Sequence, residues 1–387
     1  MKILFVTSWF PNPWQEKDGN FIGEHALALE SLGHEVQIVH ELPSNRFLLP
    51  KIKKDQFKGL TVWRIELPKW MLRNFQFRQK LAGRIFHSMR GEGFVPDIVH
   101  GQVLIPVLPV AAHFQSLFQK PMVFTEHWSG YTQIEFPVDQ SRLFEKLKSS
   151  FGPISRILPV STYLQESLKK RGVDRPCQVV FNTVNTEIFK YIEKHHNPIF
   201  TFLHVSGFSD VKNVEGIIEA FHKLVKSDVT KFYRLIIAGD GDLARIERYC
   251  KSNISNECDI QLIGALDYTG VAELMRQSDC FVLFSKMETF SCVAAEALCC
   301  GLPVITSRVG AMPERIDSSN GVLVEPERVD LLMASMQRMA LDFGRYNRQS
   351  IADNASFRYS YTRIAGELTT VYDEVITEFE RGKSARS

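Results

Sequence analysis

Two carboxylates eight positions apart, Glu288 and Glu296, have the types and spacing to do chemistry together. Glu288 sits in a polar turn that breaks an apolar run. Glu296 sits in the small-residue stretch that follows, before a second apolar run near Val304 and Ile305. That order reads as strand, loop, helix, strand, one unit of a parallel α/β sheet. In such sheets ligands bind in the crevice at the carboxyl ends of the strands. The amides of Phe290, Ser291 and Cys292 fall at the expected helix start, where unpaired N–H groups suit a phosphate. Carboxylates beside a phosphate site are suited to the hydroxyls of a ribose or a sugar. Two surface glutamates on an ordinary βαβ unit are the other reading that the spacing allows.

The surrounding residues decide between them. Glu288-Thr-Phe-Ser291, Glu296-Ala297 and Gly301-Leu-Pro-Val-Ile305 resemble the E-x7-E signature of the retaining glycosyltransferases of family 4, usually written Glu-Gly-Phe-Gly, Glu-Ala and Gly-x-Pro-Val-Ile. Weaker segments follow the family in the right order. Gly19 stands in the loop after the first strand, where the family's backbone approaches donor phosphates or acceptor. His127 matches a histidine that often contacts the donor sugar, with a buried structural histidine as the competing reading. Ile157-Leu-Pro-Val160 with Ser161 resembles the family's strand-to-helix step. Val179 to Phe189 resembles its Pro-Asn-Gly-Val-Asp segment, with Thr183 and Asn185 in place of glycine and aspartate. Gly310-Ala-Met-Pro-Glu314 resembles Gly-Gly-x-Pro-Glu, with Ala311 for one glycine.

The resemblance implies an α/β protein of the GT-B fold, two Rossmann-like parallel-sheet domains facing across a cleft. Residues 1–190 would form the acceptor side, with the helix after about 360 packing there, and residues 191–387 the nucleotide-sugar side. By position, Glu296 would bind ribose hydroxyls and Glu288 sugar hydroxyls. Lys212, with the amides of Thr289, Phe290 and Ser291, would hold the diphosphate, and His127 would reach the donor from the first domain. The arginine that the family usually offers upstream of Lys212 is missing from residues 201–211. A helix-start lysine in solvent is the plainer reading of Lys212. No cofactor or metal is expected. The one Asp-x-Asp, Asp240 and Asp242, matches a Gly-Asp-Gly turn of the family, with Asp242 a natural helix N-cap.

Length and composition fit this frame. A chain of 387 residues suits two domains, and 44% apolar with 23% charged residues is typical of soluble globular proteins. The apolar runs are too short to span a membrane. Residues 1–7 read as a first buried strand rather than a signal peptide. Seven cysteines without metal spacing read as reduced thiols of a cytosolic protein. The tail, residues 381–387, is expected to be disordered, and residues 190–198 read as the linker.

The net charge of +2 is uneven, since residues 1–190 hold 24 Lys and Arg against 17 Asp and Glu. Residues 46–90 carry 12 of those basic residues, opposed only by Asp55 and Glu66, with Phe47, Trp63, Trp70 and Phe75 interleaved. That mixture suits an anionic membrane surface or a phosphate-bearing acceptor, or a solvated face over a core. Nucleic acid is disfavoured, because no reading motif is present. The expected partners are therefore a nucleotide-sugar donor, UDP- or GDP-linked, and a glycan or lipid-linked acceptor of bacterial surface polysaccharide synthesis at the inner membrane face. A nucleotide-sugar 2-epimerase, a phosphorylase and a non-catalytic nucleotide-sugar-binding subunit are the alternatives.

Overall fold

The computed structural model describes residues 1–132, 138–148, 150–193, 199–228, 231–255 and 257–384. They divide into two units, Met1–Thr183 with Tyr361–Ser387, and Val184–Ser360. In chain order the first holds β1 (Lys2–Thr7), α1 (Asn20–Ser31), β2 (Glu35–Pro43), β3 (Lys51–Phe57), β4 (Leu60–Leu67), α2 (Phe75–Gly91), β5 (Ile98–Gln102), α3 (Leu104–Phe118), β6 (Met122–Glu126), α4 (Val138–Lys148), β7 (Ile154–Pro159) and α5 (Thr162–Lys170). The second holds β8 (Phe200–Val205), α6 (Val214–Ser227), β9 (Tyr233–Ala238), α7 (Leu243–Asn253), β10 (Asp259–Ile263), α8 (Tyr268–Gln277), β11 (Cys280–Leu283), α9 (Cys292–Cys299), β12 (Val304–Ser307), β13 (Gly321–Val324), α10 (Val329–Leu341) and α11 (Arg348–Tyr359). The last helix, α12 (Tyr361–Ser384), belongs to the first unit.

The strand orders are β3-β4-β2-β1-β5-β6-β7 and β10-β9-β8-β11-β12-β13. All pairings are parallel except β3 with β4. Each sheet is therefore doubly wound. The winding reverses between β1 and β5 in one and between β8 and β11 in the other, and the crevices that bind ligands open at such reversals. The central strands are apolar runs because helices cover both faces. In α12, Ile364, Ala365, Leu368, Val371, Tyr372 and Val375 recur every three or four residues. They bury against Ile22, Ala26 and Leu29 of α1.

Residues 46–90 keep most of the expected charged face, with ten of their twelve lysines and arginines exposed, and bury only Arg64 and Arg78. Residues 51–67 form a hairpin through Lys58 and Gly59, both at positive φ (48° and 93°), the backbone that a tight hairpin turn demands. β3 is a charged outer strand, and such charges discourage further pairing. Arg78 is wholly buried, its Nε and Nη2 donating to Glu41 Oε1 (2.8 Å) and Oε2 (2.5 Å), and its Nη1 to the Leu72 carbonyl. Arg64 is also inside, donating to Asp55 and to the Pro11 carbonyl. Trp63 is buried and donates to Gln37. At the surface remain Leu48, Leu49 and Trp70.

The end of the chain departs from expectation. Residues 381–384 are the last turn of α12 instead of a disordered tail, while residues 385–387 lie outside the described residues. Of the expected linker, 194–198 lie outside them as well, and the division between units falls at Thr183. No helix among the described residues is long and apolar enough to cross a membrane.

Removing one partner of a buried ion pair strands the other charge away from water, at about 3–5 kcal/mol. Glu41→Ala is expected to cost that much in urea unfolding. The double replacement Glu41→Leu with Arg78→Met should recover most of it. A loss under about 1 kcal/mol in the single variant would contradict the buried pair.

Candidate active site

The sequence places strong apolar strands at β8 and β11, so the loops that leave them emerge side by side where the second sheet reverses. Two contacts tie these loops together. The Lys286 amide donates to the Val211 carbonyl at 2.8 Å, and Lys212 Nζ donates to Glu288 Oε1 at 2.7 Å. Glu288 is 6% exposed at its side chain and Lys212 26%. The carboxylate has lost most of its water and has the ammonium as its counter-charge, while the lysine still reaches solvent. His204 donates from Nδ1 to the Val282 carbonyl at 2.8 Å, and its Nε2 accepts from the Ser206 hydroxyl at 2.7 Å.

The backbone of Glu288 is held from the next loop, where the Ala311 amide donates to its carbonyl at 3.0 Å. Gly310 lies at φ 52°, and a Cβ there would stand 1.9 Å from the Glu288 carbonyl oxygen. Only glycine permits that approach. Phe290 is buried between the Arg315 guanidinium, 3.9 Å above its ring, and the Tyr359 ring at 5.8 Å. Thr289 is half-buried beside it. Ser291, at φ 68°, caps α9, and Glu296 lies half-buried on that helix. The hydroxyls of Ser285, Ser291 and Ser307 are buried without a hydrogen-bond partner among the described residues. These three lie at the carboxyl ends of β11 and β12 and at the head of α9.

The structure also supplies an arginine that sequence position could not reveal. Arg245 comes from α7 to the loop after β8, donating to the Phe208 carbonyl at 2.7 Å and pairing with Glu215 (2.6 Å) and Asp210 (3.2 Å). Its charge is matched by those two acids, which leaves Lys212 as the cation beside Glu288. Asp242 accepts from the Arg245 amide as the N-cap of α7. No group of three or more His, Cys, Asp or Glu able to hold a metal occurs among the described residues.

In the first unit, Gly19 sits at φ 57° with its Cα against the Trp9 carbonyl, where a Cβ would be 2.4 Å from that group. The loop after β1 is thereby pinned to the start of α1. His127 follows β6 and is 6% exposed. Its Nε2 donates to Gln102 Oε1 at 3.0 Å, and the Gln102 amide donates to His100 Nε2 at 3.3 Å. Thr125 also donates to His100 Nε2 at 2.7 Å, so His100 Nδ1 donates to the Tyr372 hydroxyl at 2.6 Å. This chain of bonds fixes neutral imidazoles. Burial, reinforced by the neighbouring rings, holds His100 and His127 well below the ordinary histidine value. His25, 5.9 Å from the His127 ring and bonded to the Phe181 carbonyl, is held down at about 4 by burial. Phe21 closes the other side of His127 at 4.5 Å. Gln102 escaped notice in the sequence; its place at the carboxyl end of β5, beside the sheet reversal, was the available signal.

Glu126 precedes His127 and accepts from the amides of Leu104, His127 and Trp128 at 2.8–3.0 Å. Burial still pushes its carboxyl up to about 7. It orders the strand end that presents His127.

Comparison with known proteins follows the same division. The model described as Glycosyltransferase Family 4 matches residues 19–188, and that described as Glycosyl transferases group 1 matches residues 185–355. A putative teichuronic acid biosynthesis glycosyltransferase, TuaC, from Bacillus subtilis is 25% identical, covering 100% of this chain and 97% of its own. A glycogen synthase from Mycobacterium tuberculosis is 30% identical over 91% of this chain and 89% of its own. Among solved structures, Anabaena HepE in complex with UDP and glucose superposes with a TM-score of 0.72 at 16% identity, covering 97% of this chain and 100% of that one.

The buried histidines set an acid limit. His25, His40 and His204 are held at about 4, about 3 and about 4, chiefly by burial, and His100 and His127 lie lower than usual too. Unfolded, each titrates near about 6.5. As pH falls below that value the unfolded chain gains protons that the folded one refuses. Stability then drops by about 1.4 kcal/mol per pH unit for each histidine. Glu126 and Asp18, raised by burial to about 7 and about 6, act the opposite way but are outnumbered. Urea midpoints should fall from pH 7 to pH 5, and His25→Gln should flatten that slope by about one proton. An unchanged slope would contradict a neutral His25.

Proposed function

The chain belongs to the glycosyltransferases of family 4, and from that premise we propose that it moves a sugar from a UDP- or GDP-linked donor, with retention of anomeric configuration, to a glycan or lipid-linked acceptor of surface polysaccharide synthesis. The observation that carries this is the Lys212–Glu288 contact at the reversal of the second sheet, at the head of α9. In the transfer the bond between the sugar and the diphosphate breaks, and the diphosphate leaves with the electron pair. The acceptor oxygen takes its place and its proton passes to the leaving group. The anomeric centre passes through an oxocarbenium-like state while negative charge grows on the diphosphate.

Lys212 keeps donors beyond the one it gives Glu288, and the start of α9 adds its aligned amides. Both stabilise the growing charge without a metal. Glu288, fixed by Lys212 and the Ala311 amide, is the acceptor for sugar hydroxyls. Glu296 serves the ribose. His127, with the backbone turn at Gly19, presents the first unit's side of the reaction. HepE, a relative in fold, is a complex with UDP and glucose, which supports a nucleotide-sugar reading here.

Glu296→Ala is expected to lower transfer by at least about tenfold, the loss of one charged hydrogen bond. Lys212→Ala should chiefly weaken nucleotide affinity in calorimetry. Wild-type turnover in the first and unchanged affinity in the second would remove these roles. The exposed Leu48, Leu49 and Trp70, beside the remaining lysines and arginines of residues 46–90, support contact with an anionic membrane face. Sedimentation with phosphatidylglycerol vesicles should exceed that with phosphatidylcholine and weaken with salt. Equal sedimentation with both lipids would refute the contact.

A further inference from the structure

Glu126 is a wholly buried carboxyl at the carboxyl end of β6 that the proposed transfer chemistry does not use. Its two oxygens serve different loops. Oε1 accepts from the amides of His127 and Trp128, both at 2.8 Å, and Oε2 accepts from the Leu104 amide at 3.0 Å. The first two amides belong to the loop that leaves β6, and the third opens α3 after β5. One side chain therefore fastens two neighbouring strand ends at the crevice edge of the first sheet.

The β5 side needs fastening. Val103 lies at φ 65° and ψ 108°, a backbone region that a β-branched residue enters only under strain. Such strain persists where the surroundings over-determine it. Here the amides on either side of the Val103 Cα are both tied to β6. Val103 N–H donates to the Thr125 carbonyl at 2.9 Å, and Leu104 N–H donates to Glu126. Gln102 directly precedes this turn, and its Oε1 accepts from His127 Nε2 at 3.0 Å. The two halves of that hydrogen bond thus sit on the two loops that Glu126 joins. An amide oxygen can only accept, so the bond also puts the His127 proton on Nε2. A carboxylate suits the task because both of its oxygens are acceptors. A glutamine has one acceptor oxygen, and its NH2 would meet an amide N–H. We infer that Glu126 is a positioning residue, whose carboxylate locks the β5 and β6 loops together so that Gln102 holds His127 in the Nε2–H form. This rests on the transferase reading, in which His127 presents the first unit's side of the reaction.

In the network around Glu126, β5 contributes His100, the following loop His127 and Tyr131, and α1 contributes His25 beyond His127. Arg171 reaches the Tyr131 carbonyl from the end of α5, and the Val160 amide after β7 reaches the Glu126 carbonyl, each at 3.3 Å. Burial holds the three histidines below their ordinary value and Tyr131 above its own. It pushes Glu126 up to about 7, a window that those four groups leave clear.

Histidine carrying 15N in both ring nitrogens would be incorporated into the full chain, with His127→Gln identifying the His127 signals by their loss. At pH 8, with Glu126 ionised, the wild type should show His127 in one neutral form with its proton on Nε2. In Glu126→Gln the proton should divide between the two ring nitrogens. A retained cooperative thermal transition shows that this variant folds. Unchanged His127 signals in the folded variant would overturn the inference. If Glu126→Gln does not fold, the wild type decides alone. As pH falls from 8 to 6, the amide signals of Leu104, His127 and Trp128 should move with one midpoint, and the His127 ring should follow it. Independent or absent movement would refute the clamp. Thermal midpoints with UDP and GDP are read in parallel. Nucleotide stabilisation with an unresponsive ring removes this inference and leaves the transferase standing. A responsive ring in protein indifferent to both nucleotides keeps the clamp and removes the transferase.

Discussion

A carboxylate stripped of water must find a counter-charge, and in this protein that requirement organises the second unit. Glu288 is buried where two loops leave adjacent strands, and Lys212 is the ammonium that meets it at 2.7 Å. The pair joins residues 76 positions apart, so it forms only once β8 and β11 lie side by side. Everything else at that edge serves the same placement. Gly310 lets the neighbouring loop touch the Glu288 backbone, Arg315 and Tyr359 clamp Phe290, and Ser291 turns the chain into α9. A site made this way holds its charges before a ligand arrives.

The first unit solves a different problem with neutral groups. His127 is oriented through Gln102 and His100 to Tyr372, a residue of the final helix 272 positions from His100. An imidazole held this way can accept or donate a hydrogen bond but resists protonation, because its surroundings exclude water and contain other rings. The return of α12 to the first unit thus does more than fill the core. It supplies the far end of the network that orients the histidine.

Much of this was legible in the sequence because it is written locally. Apolar runs mark the parallel strands, and the Glu288 to Ile305 stretch carries both carboxylates with the glycine and proline that shape their helix and strand. The Asp242 cap is likewise a matter of a few neighbouring residues. Long-range charge pairing was not legible. Nothing near Arg78 announces Glu41, and a basic residue between aromatics reads as surface until the fold buries it. β3 hid for a related reason, since Lys51 to Phe57 has no apolar face to betray an outer strand. Arg245 was invisible as well, because it enters the site region from another helix. Where pairing across the chain decides a residue's role, composition misleads.

The most direct test of the central claim is the thermal midpoint of the protein with UDP, GDP, ADP and CMP, each repeated in Glu296→Ala. A ligand that binds only the folded form must raise the midpoint. The structure leads us to expect that UDP or GDP stabilises the wild type and loses that effect in the variant. Indifference of the wild type to all four nucleotides, in folded protein, would contradict a donor site at the reversal of the second sheet.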